Sequence, residues 1–164
     1  MSEIAKPEPG GFDRPRKLPS PCQPRWYGPE GVVGSAASAQ RMILVDTSIW
    51  IDHLHRTEPD LVAVLEEAEV CLHPMIIGEL ALGSLRDRSA ILSMLADLPA
   101  VSVATHAEVL QLIESNALYG TGLSLVNAHL LAALRLSEAT KLWTRDRRLH
   151  PAARRLGVAA TQQC

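Results

Sequence analysis

The stretch MILVDTSIWIDHLH, residues 42–55, decides how the rest of the chain is read. It opens as a short apolar run, Met42 to Val45, ends that run on one acid, Asp46, and then continues with the spacing of a helix. A strand feeding a helix across an acid is half of a βαβ unit, and Ser48 is placed to cap the helix. The same alternation continues downstream. Thr57 and Asp60 bracket a capping box with Pro59 in the first turn, which predicts a helix through LVAVLEEAE (61–69), and VCLH (70–73) reads as a second strand. Pro74 starts a helix over PMIIGELALGS (74–84), RSAILSMLADL (88–98) makes another, and AVSVA (100–104) reads as a strand. Thr105 and Glu108 form a second capping box before HAEVLQLIESNAL (106–118). A YGTG turn (119–122) follows, then a helix capped by Ser124 and running to about Ser137, a strand at KLWT (141–144), a short helix and a closing strand at GVAA (157–160). Strands alternating with helices predict an α/β fold, a central parallel sheet covered by helices on both faces and joined by right-handed crossovers.

Composition bounds what this sheet can serve. A chain of 164 residues with 47% hydrophobic content fills one core, and its net charge of -2 leaves anion binding to local patches. The three cysteines, Cys22, Cys71 and Cys164, lie far apart and match neither a disulfide framework nor zinc spacing. No apolar run reaches membrane length and no hydrophobic signal core opens the chain, so the expectation is a soluble, cytoplasmic protein without a membrane partner. Residues 1–41 differ in kind. They hold seven of the eleven prolines and five of the ten glycines, which reads as a Pro/Gly-rich extension outside the folded domain of residues 42–164. Its one docking group is Arg25, Trp26 and Tyr27.

In open α/β sheets ligands sit beyond the carboxyl ends of the strands. Asp46 ends one strand and Asp146 follows another, so both point to the same rim; each alone could equally cap the next helix. Glu79 lies within the apolar stretch MIIGELALG, where a carboxylate without a partner is costly to bury, and Gly78 beside it would permit close approach. Asn127 stands in the first turn of the oily stretch GTGLSLVNAHLLAALRL (120–136), where a capping box would use Glu or Gln. It reads either as a weak cap or as part of a site. His129, two residues on, falls on another face of that helix and reads as a surface or supporting group. Thr144 either orients a ligand or is a plain strand-end threonine.

Taken in order, ILVDTSIWIDHL, GELALG, GTGLSLVNAHLLAAL and LWTRDRRL resemble the four signature segments of the PIN-domain ribonucleases, most closely the VapC-type toxins of toxin–antitoxin systems. The resemblance spans Met42 to about Ala160 and leaves the extension aside. It implies a PIN-like doubly wound sandwich whose rim acids hold Mg²⁺ or Mn²⁺ for cleavage of an RNA substrate. It also implies homodimers and a VapB-like antitoxin partner. Asp46, Glu79 and Asp146 match metal-holding acids of that pattern, and Asn127 stands where the remaining acid is expected. An amide there keeps the shape and removes the charge, which implies an endoribonuclease of impaired activity.

The chemistry accounts for the residue types. Two carboxylates about 4 Å apart repel by roughly 4 kcal/mol at an effective dielectric of 20, so a cluster of acids needs a cation between them. Lys141, Arg145, Arg147, Arg148, Arg154 and Arg155 crowd the segment around Asp146, and Arg145, Arg147 and Arg148 are expected to contact RNA phosphates. Few aromatics, Trp50, Tyr119 and Trp143, are available for stacking on bases in the folded part. Two other readings stay open: an inactive toxin-like binding module acting in an antitoxin/repressor complex, and a Mg²⁺ phosphohydrolase with Asp46 as nucleophile. The second lacks the further Asp expected where Ser48 stands.

Overall fold

The computed structural model describes residues 41–161; the Arg25–Tyr27 group and the rest of the Pro/Gly-rich extension up to residue 40 lie outside the described residues. Three parallel strands, β1 (Met42–Val45), β2 (Val70–Cys71) and β3 (Thr140–Trp143), form a sheet in the order β2-β1-β3. Leu44 pairs with Leu142 on one side and with Cys71 on the other, so β1 is the central strand. Leu44, Val45, Val70, Cys71 and Leu142 are all buried, as strands covered on both faces require. Among the described residues seven helices accompany them: α1 (Thr47–His55), α2 (Pro59–Glu66), α3 (Pro74–Leu82), α4 (Arg88–Ala96), α5 (His106–Ser115), α6 (Leu125–Arg135) and α7 (Leu149–Arg155). This is the doubly wound α/β architecture that the alternation predicts.

The two expected edge strands are reduced to single bridges. Leu72 pairs with Ala100 and Leu142 with Ala159, both in parallel, with hydrogen bonds such as Val101 N–H to Leu72 O (2.9 Å) and Leu142 N–H to Val158 O (2.7 Å). They occupy edge rows. Pro99 has no N–H to continue the ladder, and Ser102 and Val103 are exposed, so the 100–104 segment gains little from further pairing.

Helix entry follows sequence in some places and departs from it in others. Thr105 and Glu108 make the reciprocal capping box, and Ser124 Oγ accepts the Asn127 N–H at 3.1 Å. The Thr57–Asp60 box does not form; Glu58 is the N-cap residue of α2, without a side-chain cap bond, while Pro59 opens the helix as expected. Helix α1 is capped by Asp46 rather than by Ser48, and α3 by His73, whose Nδ1 accepts the Met75 N–H at 3.1 Å. Cap acceptance thus places an acid and a histidine at the carboxyl ends of β1 and β2. Helix α6 carries eight buried residues in succession, Asn127 to Leu134, and packs against α5, α3 and β3. It ends at Arg135, with Leu136 as its C-cap, two residues before the expected end at Ser137.

Candidate active site

Asp46 and Asp146 meet through one hydroxyl. Thr144 Oγ1 donates to Asp46 Oδ2 at 2.8 Å and accepts the Asp146 N–H at 3.0 Å, and Thr144 is only 3% exposed. Pairing of β1 with β3 in register brings Val45 opposite Trp143, which places the two following residues, Asp46 and Thr144, side by side. Ser48 Oγ adds a second donor to Asp46 Oδ2 at 2.7 Å and accepts the Arg145 N–H at 3.2 Å. Every hydrogen bond that the Asp46 carboxylate accepts among the described residues falls on Oδ2, which leaves the lone pairs of Oδ1 uncommitted.

Asp146 is held more fully. Its Oδ1 accepts the N–H groups of Arg148 (2.7 Å) and Leu149 (3.3 Å), and its Oδ2 accepts the Asn127 Nδ2–H at 3.2 Å. Partial burial pushes its pKa up, but the Arg148 and Leu149 N–H groups, the Asn127 amide and the Arg148 charge outweigh it and hold the carboxyl below its ordinary range. Asn127 is therefore more than a cap. Its backbone satisfies Ser124 while its side chain, 9% exposed, reaches across to Asp146.

Glu79 is half-buried on α3 and accepts a hydrogen bond from Thr47 Oγ1, the residue after Asp46, so it joins the same rim through a neighbour. Gly78 plays no part in that approach: it is exposed, and a Cβ there would meet open space. Among the described residues, no three His, Cys, Asp or Glu side chains lie close enough together to hold one ion. Two carboxylates still suit an ion such as Mg²⁺, which takes one or two of them and completes its octahedron with water and substrate phosphate. Asp46 and Asp146 supply that number of acids at one rim.

The arginines near Asp146 are less available than their number suggests. Arg145 grips Asp52 and Glu58, each at 2.6 Å, pinning the end of β3 to α1 and to the α1–α2 connection. Those hydrogen bonds hold Glu58 below its ordinary pKa and raise that of Arg145. Arg148 Nη1 donates to Gly122 O at 3.3 Å, Arg155 Nη2 to Asn116 O at 2.7 Å, and Lys141 Nζ to Gly157 O at 2.7 Å. Arg147 is exposed and has no hydrogen-bonding side-chain partner among the described residues.

His129 is buried, contrary to a surface placement, and its ring lies 6.3 Å from that of His73 and 6.2 Å from that of exposed His106. Sequence reasoning also passed over Thr47, read Ser48 as a helix cap rather than as a donor to Asp46, and read Arg145 as a phosphate contact rather than as a clamp on Asp52 and Glu58. The signal was there in the small polar residues beside each acid, DTS and TRD, since an acid at a strand end needs local donors to fix it.

A sheet rim with paired strand-end acids is what the PIN fold presents, and the chain belongs to that family: the PIN domain model matches residues 43–155. It is a VapC-type member. Ribonuclease VapC32 of Mycobacterium tuberculosis, strain CDC 1551 / Oshkosh, is 46% identical over 122 residues, covering 74% of this chain and 98% of that protein. Ribonuclease VapC32 of strain ATCC 25618 / H37Rv matches with the same identity and coverage.

Proposed function

We propose that this chain is a metal-dependent endoribonuclease of the VapC toxin type whose activity is muted by Asn127. The observation that carries the reading is the Thr144 hydroxyl, which donates to Asp46 and accepts from the Asp146 backbone and so keeps the two acids at one rim. Asp46 and Asp146 would hold Mg²⁺ or Mn²⁺, with Glu79 tied to the same rim through Thr47. Such an ion, when bound, lowers the pKa of a water and stabilises the leaving oxygen of a phosphodiester.

The chain's own residues then have separate tasks. Thr144 and Ser48 fix Asp46 Oδ2 so that Oδ1 faces its ligand without rotamer searching, and Thr47 does the same for one oxygen of Glu79. Arg147 offers its charge to a phosphate next to the rim. Asn127 works against the site in two ways. It brings no charge, and its Nδ2–H occupies an Asp146 oxygen that a cation would otherwise share. The same hydrogen bond favours a second reading, a toxin-like binding module that has lost cleavage and acts in an antitoxin complex.

An antitoxin of the VapB kind, a homodimer and a cytoplasmic setting follow from VapC-type membership as parts of this proposal. Exposed Leu82 and Met94 provide apolar surface for such partners, and no helix among the described residues is long and apolar enough to cross a membrane. The test is cleavage of labelled RNA by the full chain in Mg²⁺ or Mn²⁺. Cleavage should vanish in EDTA and in the Asp46→Asn variant; cleavage that survives both would overturn the metal reading.

A further inference from the structure

We propose that Tyr119 is a stacking platform for a base of single-stranded RNA flanking the scissile phosphate, an inference that rests on the ribonuclease reading above. Of the three Trp and Tyr side chains among the described residues, Trp50 is fully buried and Trp143 is a partly buried part of the core, whereas Tyr119 is 63% exposed. Proteins that take single strands combine positive charge along the backbone with aromatic faces on which bases stack. Tyr119 is the largest aromatic face among the exposed described residues.

Its backbone is prepared for the task. Tyr119 follows Leu118, which is 4% exposed and plugs the core, and the Leu118 N–H bonds Ile113 O at 2.9 Å. On the other side Thr121 Oγ1 donates to Leu118 O at 2.5 Å, and Arg148 Nη1 holds Gly122 O. Gly122 has φ +77°, and a Cβ there would lie 3.3 Å from the Arg148 side chain, so glycine is what allows the arginine to lie against the turn. Arg155 fastens the start of the same connection at Asn116 O. Two arginines of the basic segment thus secure the residues on both sides of an exposed tyrosine, a large cost for a turn with nothing to present.

The connection reaches the acid rim by a short route. Arg148, whose side chain holds Gly122, donates its backbone N–H to Asp146 Oδ1 at 2.7 Å. Tyr119, three residues before Gly122, is therefore fixed relative to Asp146 through one residue. A strand of RNA with a phosphate at the rim and at Arg147 would pass this turn. A platform whose backbone is already ordered loses little freedom on binding.

The experiment uses the full chain in EDTA, where binding is separated from cleavage, and reads fluorescence anisotropy with a labelled oligoadenylate and with an abasic ribose-phosphate strand of equal length. The Tyr119→Ala variant should bind oligoadenylate about fivefold more weakly or worse, while Tyr119→Phe stays within about twofold of the native chain. The abasic strand should bind the native chain and the alanine variant alike. Native binding that weakens with salt, together with an unchanged Tyr119→Ala affinity, would overturn the platform and leave the ribonuclease reading standing. Absence of RNA binding by the native chain in EDTA would overturn the platform, while the ribonuclease reading is judged separately by the cleavage assay in Mg²⁺ or Mn²⁺.

Discussion

Asn127 shows how much one atom exchange can redirect. Its Nδ2–H donates to Asp146 Oδ2 at 3.2 Å, so an aspartate in its place would set two carboxylate oxygens near contact. Repulsion at that range is on the order of 4 kcal/mol at an effective dielectric of 20. The Asn127→Asp variant should therefore melt below the native chain in EDTA. Excess Mg²⁺ should raise the variant more than the native chain, since a ligand that binds only the folded state stabilises it by mass action. Paired thermal melts in EDTA and in Mg²⁺ check this, and an identical metal response in both proteins would place Asn127 away from the ion. An amide in the first turn of an oily helix was legible as an anomaly, and the pattern of four segments supplied the expected acid. The hydrogen bond to Asp146 was not legible, because it depends on how α6 packs against the end of β3, a relation between residues 19 apart.

Among the elements, α3 carries the clearest pH signature. His73 caps it through Nδ1, is 1% exposed, and has its pKa lowered to about 4 by burial and then by the nearby His129 charge. The unfolded chain protonates this histidine near pH 6.5 while the folded chain stays neutral to about 4. Between those values the unfolded state binds the extra proton, so stability falls as pH falls through that window, by roughly 3 kcal/mol at its lower end. The His73→Asn variant keeps an N-cap acceptor and removes the titration, so denaturant melts between pH 7 and 4 should show a shallower loss; an unaltered slope would remove His73 as its source. The helices from Pro59, Pro74, Thr105 and Ser124 were readable because proline and hydroxyl side chains mark helix starts locally. The cap made by Asp46 was readable as one of two roles for an acid after a strand, whereas that made by His73 was not, since it belongs to a strand end whose direction the sheet sets. Edge rows at Ala100 and Ala159 shrank to single bridges for a related reason: β propensity cannot report how many neighbours a segment will find.

At the scale of the whole molecule, a net charge of -2 hides a sharp division of labour among the arginines. Arg145 is already neutralised by Asp52 and Glu58, whereas Arg147 is exposed without a side-chain partner among the described residues. Arg147→Ala should flatten the salt dependence of RNA binding by about one log-log unit per lost phosphate contact, and Arg145→Ala should leave that slope unchanged. Equal slopes for both variants would contradict the division. Sequence could show that basic residues crowd Asp146, but which of them the fold spends on its own carbonyls and carboxylates follows only from packing. We propose above that a metal-holding PIN rim persists in this chain and that Asn127 mutes it. The most direct test of that proposal is RNA cleavage by the native chain and by Asn127→Asp, side by side, in Mg²⁺ and in Mn²⁺. Metal-dependent cleavage should be at least about tenfold faster for Asn127→Asp, in keeping with the effect of groups that tune a metal's ligands. A folded Asn127→Asp protein that cleaves no faster than the native chain in either metal would contradict it.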